Sequence, residues 1–265
     1  MDRLRAALLT AFTLRKAAGL SFVVAPLPTP DGAVILPLAV GYATAVFPFV
    51  DGEPYPEYEL STSHDRRAVL EVVAALHAAT STVQKVADID SLQLSDRTHL
   101  ERALGRLRVR WAGGPFAEPT RDLLASAAIG IQSLLTAYDR LTESARQRDV
   151  DWVITHGEPK ADNFLATDAG PMLVDWDTAL LAPAARDLWM LDGGSGTERA
   201  LYAELTDRQV SDDDLTFYRL RWDLADIAAF VRLFAAPHTR TADTDIAWNA
   251  LAGTLRLSEH WPELL

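Results

Sequence analysis

The sequence predicts an α+β fold with a small strand-bearing N-terminal part and a larger, mainly helical part. Three observations predict it. Short runs rich in Val and aromatics between residues 21 and 49 are split by the turn segment PLPTPDG. Apolar residues then recur at helical intervals over most of the chain from Ser63 onward. Within that helical stretch, strand signals return briefly at residues 152–174, around the densest polar cluster of the chain.

In chain order, residues 2–18 predict a helix, with Asp2 as cap, Leu4, Leu8 and Ala11 on one stripe, and Gly19 as stop. Ser21–Ala25, Ala33–Leu36 and Tyr42–Phe49 read as an antiparallel sheet, and Asp51, Gly52 and Pro54 break the pattern. A division into residues 1–52 and 53–265 follows. Val69, Val72, Val73 and Leu76 share a helical face, and Ser95 reads as the cap of a helix ending near Trp111. Pro119 suits the first turn of a helix reaching about Ala145. Trp152–Thr155, Asn163–Ala166 and Met172–Val174 are extended, the last two joined by a TDAG turn. Beyond Pro183 the pattern is helix and loop, with one long periodic segment from Asp212 to Phe234.

Composition narrows the function classes. With 265 residues, 49% of them hydrophobic, the chain can bury a large core. No apolar run approaches the roughly 20 residues that cross a bilayer, and no signal-peptide pattern opens the sequence. The expected location is therefore the cytoplasm. The absence of Cys removes disulfides and thiolate metal sites. A formal charge of −12 opposes nucleic-acid binding and suits a cationic substrate; it does not fix the oligomeric state. Lys occurs only at positions 16, 85 and 160.

The chemistry concentrates in VITHGEPKADNFL, residues 153–165, and LVDWDT, residues 173–178. A hairpin between them allows Glu158, Asn163 and Asp175 to converge at one end. That oxygen-donor set suits magnesium bound largely through substrate phosphates, and the His-poor surroundings argue against zinc. His64, His77, His99, His238 and His260 have no ligand spacing. Ser195 in DGGSGTE fails the nucleophile-elbow pattern, and Asp212, Asp213 and Asp214 suit a helix start facing solvent. Trp222, Asp223 and Asp226 share a helical face that could present a ring and two carboxylates to an aminocyclitol; salt bridges to Arg219, Arg221 or Arg232 are the alternative use of that face.

HGEPKADNF resembles the HGDxxxxN catalytic loop of the aminoglycoside phosphotransferases, and LVDWDT resembles their metal-binding strand end. PAARDLWML, VFPFVDG and VAALHAAT resemble, in actinobacterial members, the following helix, the hinge and the first large-lobe helix. The resemblance implies a protein-kinase-like, two-lobed fold with a reduced N-terminal lobe, a hinge at residues 47–52 and a cleft between the lobes. It implies ATP- and magnesium-dependent transfer of the γ-phosphoryl group to a small-molecule hydroxyl. Glu158 would be the base, and Asn163 and Asp175 the magnesium ligands. The Pro48 carbonyl and Val50 amide would read adenine, and Lys160 would sit beside the phosphates. His156 and Asp187 would brace the loop, and Asp177 would make a secondary metal or phosphate contact.

The sequence departs from the family pattern in three places. Glu158 stands where the general motif has Asp, longer by a methylene of roughly 1.5 Å. Lys160 occupies a position that is His in related sequences. Members also open with a glycine-containing strand hairpin and a strand Lys, neither of which precedes the first helix here, so the expectation divides between a start further upstream and a degenerate kinase. The alternative functions are accordingly a catalytically silent kinase-like binding protein and a metal-dependent hydrolase using Glu158 and Asp175.

Overall fold

The structure, a computed structural model, describes residues 2–55, 63–148 and 151–258. The chain divides into two compact units, residues 1–91 with 149–215, and 92–148 with 216–265.

The first unit opens with helix α1 (Asp2–Lys16), whose Ala7, Leu8, Ala11 and Leu14 are buried, and Gly19 follows it in the left-handed region. Strands β1 (Leu36–Ala39) and β2 (Tyr42–Thr44) form an antiparallel hairpin, turned by Gly41 at φ +81°. Its base joins α1: Leu8, Val34 and Ile35 form a small core, with Leu4, Phe12 and Ala43 packed against it. The expectation that residues 21–25 belong to this sheet is corrected. Val23 instead bridges Leu173 in parallel, and Val24 N–H donates to the Leu173 carbonyl at 3.0 Å. Burial decides this, because Val23 and Val24 enter the core beside β6, whereas β1 is exposed along its length.

Strand β3 (Glu53–Pro54) pairs with β5 (Phe164–Thr167), which pairs in turn with β6 (Gly170–Leu173). Gly52 is required just before β3, since a Cβ there would lie 2.9 Å from the Ala166 carbonyl oxygen. Helix α2 (Ser63–Ala78) buries Val69, Leu70, Val73 and Leu76, as its periodicity predicts, and α3 (Thr80–Val83) follows. Strand β4 (Val153–Thr155) pairs antiparallel with β7 (Leu180–Ala182). The three-residue β7, stopped by Pro183, is too short to show a period in the sequence. Helices α6 (Ala185–Leu191) and α7 (Thr197–Thr206) follow.

The second unit is helical. It holds α4 (Arg97–Leu104), α5 (Ala117–Gln147), most of α8 (Asp212–Ala235) and α9 (Ala242–Ser258). Tyr138 of α5 stacks on Phe217 of α8, with ring centroids 5.4 Å apart, and its hydroxyl donates to the Leu92 carbonyl. Helix α4 is shorter than the expected reach to Trp111. Gly105 ends it, and residues 105–109 continue as separate turns because Leu107 and Val109, alternating with Arg106 and Arg108, do not make the apolar stripe a helix would bury. Asp96, not Ser95, precedes α4, and its carboxylate turns to Arg232 and His99 instead of capping. Among the described residues no helix is long and apolar enough to cross a membrane.

Candidate active site

The polar cluster is built on β4, the 156–160 loop, the β5–β6 hairpin and the turn after β6. Thr155 ends β4, and the chain enters the loop through two buried positions, His156 and Gly157. The Asp187 carboxylate at the start of α6 holds both: Oδ2 accepts from the His156 N–H at 2.9 Å and Oδ1 from the Gly157 N–H at 2.6 Å. Asp187 Oδ2 also accepts from His77 Nε2 at 3.1 Å, while the Tyr202 hydroxyl meets His77 Nδ1 at 2.7 Å. One His77 tautomer, protonated on Nε2, satisfies both neighbours. Burial alone would raise the Asp187 carboxyl. The hydrogen bond from His77, with the charge of the neighbouring Arg186, holds it below the usual carboxylate range.

His156 works as a neutral brace. Its Nδ1 accepts from the Glu158 N–H at 3.2 Å and its Nε2 donates to the Val174 carbonyl at 2.9 Å, so the ring ties the loop to the end of β6. Burial pushes its imidazole below the ordinary value, which fits a group that accepts at one nitrogen and donates at the other. Thr178 Oγ1 adds a bond to the His156 carbonyl at 2.7 Å. Gly157 has φ +99°, and a Cβ there would run into the Arg186 guanidinium, which is itself pinned by Thr155 Oγ1 and the Thr178 carbonyl. A side chain at 157 therefore meets both backbone strain and a collision.

Beyond this bracing the loop carries its reactive groups. Glu158 is half-buried, and burial pushes its carboxyl above the ordinary value; Asp177 and Asp175 raise it further, and Lys160 lowers it. Asp177 is likewise raised, by burial and then by Asp175. Asn163, 7% exposed, donates from Nδ2 to the Glu158 carbonyl at 2.8 Å, which leaves its carbonyl oxygen as the atom able to meet a cation. Asp175 sits at φ 63°, ψ 62°, a left-handed conformation that costs a non-glycine residue energy and that Asp tolerates better than most. Lys160 Nζ lies 3.1 Å from Asp162.

A cleft of about 640 Å3 in the first unit is lined by Asp175, Trp176 and Asp177 and by the 47–50 segment. Leu4 and Leu8 of α1, Ile35, Ala43 and Leu165 supply apolar walls. The Pro48 carbonyl and Val50 N–H have no hydrogen-bond partner among the described residues. The structure thus brings Pro48, Val50, Asp175 and Asp177 to one cleft, and sets Glu158, Lys160 and Asn163 on the neighbouring loop. Trp222, Asp223 and Asp226 lie half-buried on α8 in the second unit and do not line this cleft. His260 lies outside the described residues, as does the side chain of His64.

The donor set bears on metal use. Among the described residues no three His, Cys, Asp or Glu side chains form a metal cage. Magnesium does not need one, because it keeps waters and phosphate oxygens around one or two protein oxygens. Asn163 and Asp175 fit that requirement, in a setting where carboxylates already repel one another.

The model of the phosphotransferase enzyme family, APH, matches residues 13–220. The chain belongs to that family. Protein StrN of Streptomyces griseus is 29% identical to this phosphotransferase over 256 residues, spanning 93% of this chain and 73% of StrN. Among solved structures, spectinomycin phosphotransferase APH(9)-Ia in complex with ADP and spectinomycin superposes with a TM-score of 0.76 at 16% identity, covering 96% of this chain and 82% of that one. Amicoumacin kinase hAmiN, in complex with AMP-PNP, Ca2+ and Ami, gives 0.56 at 12% identity, covering 98% and 78%. The structural likenesses establish the kinase-like fold that the resemblance implies, and the family match makes the chain a member of the phosphotransferase class of enzymes.

Arg186, Tyr202 and Thr178 are the site residues that sequence reasoning missed. Arg186 had a signal, since it adjoins Asp187 in PAARDLWML, and so had Thr178, which closes LVDWDT; Tyr202 had none. His77, read from the sequence as a scattered histidine, is the buried link between α2 and Asp187.

Proposed function

We propose that this phosphotransferase moves the γ-phosphoryl group of ATP, with magnesium, to a hydroxyl of a cationic small molecule of the aminocyclitol or aminoglycoside kind. The observation that carries the reading is the shared cleft, lined by Asp175 and by the 47–50 segment, whose Pro48 carbonyl and Val50 N–H have no hydrogen-bond partner among the described residues. The 47–52 segment is then the hinge, with adenine read by its backbone. Asn163 and Asp175 would hold the magnesium, whose charge would neutralise that of the transferring phosphoryl group.

The chain's own groups divide the remaining work. Glu158 orients the acceptor hydroxyl and takes its proton as that oxygen bonds to the γ-phosphorus and the bridging oxygen leaves with ADP. His156 and Asp187 fix the loop so that the carboxylate stays in place. Lys160 puts a positive charge beside the phosphates and holds down the proton affinity of Glu158. Trp222, Asp223 and Asp226 are the proposed substrate contacts, and the net charge of −12 favours a cation at any such site.

The direct test uses γ-labelled ATP, magnesium and a panel of aminocyclitols and aminoglycosides that includes spectinomycin. Transfer of label to one of them is the expected result; nucleotide binding with no transfer to any acceptor would instead mark a silent binding protein. A pH prediction accompanies it. The raised Glu158 carboxyl keeps its proton to higher pH than an ordinary glutamate, so the active base appears later as pH rises. Because Lys160 opposes that shift, Lys160→Gln should move the acid limb of the kcat/KM profile to still higher pH. An unmoved or lowered limb would separate Lys160 from the base.

A further inference from the structure

We propose that the second unit carries an anion-binding site of its own, suited to a small phosphate monoester with an apolar or aromatic body. The site is a cavity of about 450 Å3 bounded by α4, the turns that follow it and the last turn of α8. Its cationic lining is Arg102, Arg106, Arg110 and Arg232, and Trp111 and Val231 with several alanines give it an apolar side. Among the described residues no Asp or Glu lines it. In a chain with 37 acidic and 25 basic residues, four arginines around one cavity invert the overall balance. An ordinary solvated face interleaves both signs.

Two of these cations have an account that needs no ligand. Arg102 and Arg232 lie in the last turns of α4 and α8, where the helix dipole favours positive charge, and Arg232 Nε is 3.1 Å from Asp96 Oδ2. Arg106 and Arg110 lie beyond the end of α4. Arg110 reaches Glu118 only at 3.9 Å with its side chain 87% exposed. The side chains of Arg102 and Arg106 have no ion-pair partner among the described residues.

Trp111 belongs to the apolar side of the wall: the residue is 7% exposed and lines the cavity, while its indole N–H is closed off from solvent. Guanidinium forks match phosphate in pairs, the apolar wall suits an organic body, and the volume exceeds that of a bare ion. The site draws on none of the residues assigned to phosphoryl transfer.

The test is calorimetric titration of the full chain with phenyl phosphate and, separately, with inorganic phosphate. Phenyl phosphate is expected to bind more tightly than inorganic phosphate and to weaken with added salt. The double variant Arg102→Ala, Arg106→Ala, altered only at exposed positions, should lose about ten-fold or more in affinity with its helical content unchanged. Asp175→Ala, altered in the nucleotide cleft, should bind phenyl phosphate like the parent. No binding of phenyl phosphate, equal binding by the double variant, or loss of binding in Asp175→Ala would each overturn the proposal, the last by placing the ligand in the other cleft.

Discussion

Replacing Glu158 by Gln is expected to lower kcat by about 10²- to 10⁴-fold while leaving nucleotide affinity near that of the parent. The amide keeps the size of the side chain and cannot take a proton from the acceptor hydroxyl. The loop should survive, because its bracing runs through the backbone of residues 156–158 and the side chain of Asp187 and not through the Glu158 carboxylate. Stability supplies a second readout. The Glu158 carboxyl is raised in the folded protein, so above that raised value it must ionise in a less favourable setting than in the unfolded chain. That penalty is present at neutral pH and vanishes as pH falls below the ordinary glutamate value. The Gln variant should therefore be at least as stable as the parent at neutral pH, losing activity without losing the fold. Activity within a few-fold of the parent would remove Glu158 from the base role.

The second large effect is expected at Asp187, where loss should show in stability and activity together. In Asp187→Ala three donors lose their acceptor inside the core: the N–H groups of His156 and Gly157, and His77 Nε2. At about 1–3 kcal/mol for each orphaned group, the cost is about 3 kcal/mol or more. For a chain of this size the corresponding fall in Tm is roughly 6 °C or more. Asp187→Asn keeps the shape and one acceptor oxygen, so its loss should be smaller. Thermal melts of the two variants beside the parent check the order. Equal stability of Asp187→Ala and the parent would show that the loop is held by something other than this carboxylate.

How far the sequence revealed these features depended on how local they are. The strand-turn-strand of Phe164–Leu173 and the helix Asp212–Ala235 are written in neighbouring residues, and the structure contains both. The destination of residues 21–25 is not local: Val23 meets Leu173, 150 positions away, and only burial selects that partner. Polar networks are harder still. His77, Asp187 and Tyr202 come from three helices, and no spacing in the chain announces that one histidine will bridge a carboxylate and a phenol. The cluster of Glu158, Asn163 and Asp175 was legible because one hairpin folds it together. The arginine-lined cavity escaped notice because part of its wall, from Val231 to Ala236, lies more than 100 positions further along the chain.

The central claim is that Asp175, which lines one cleft together with the 47–50 segment, helps to hold a magnesium–nucleotide complex. Calorimetric titration of the chain with ATP, with and without magnesium, beside the Asp175→Ala variant, tests it most directly. Magnesium-dependent binding that disappears in the variant is the predicted result. Binding that ignores magnesium, or that survives the loss of Asp175 unchanged, would contradict the account.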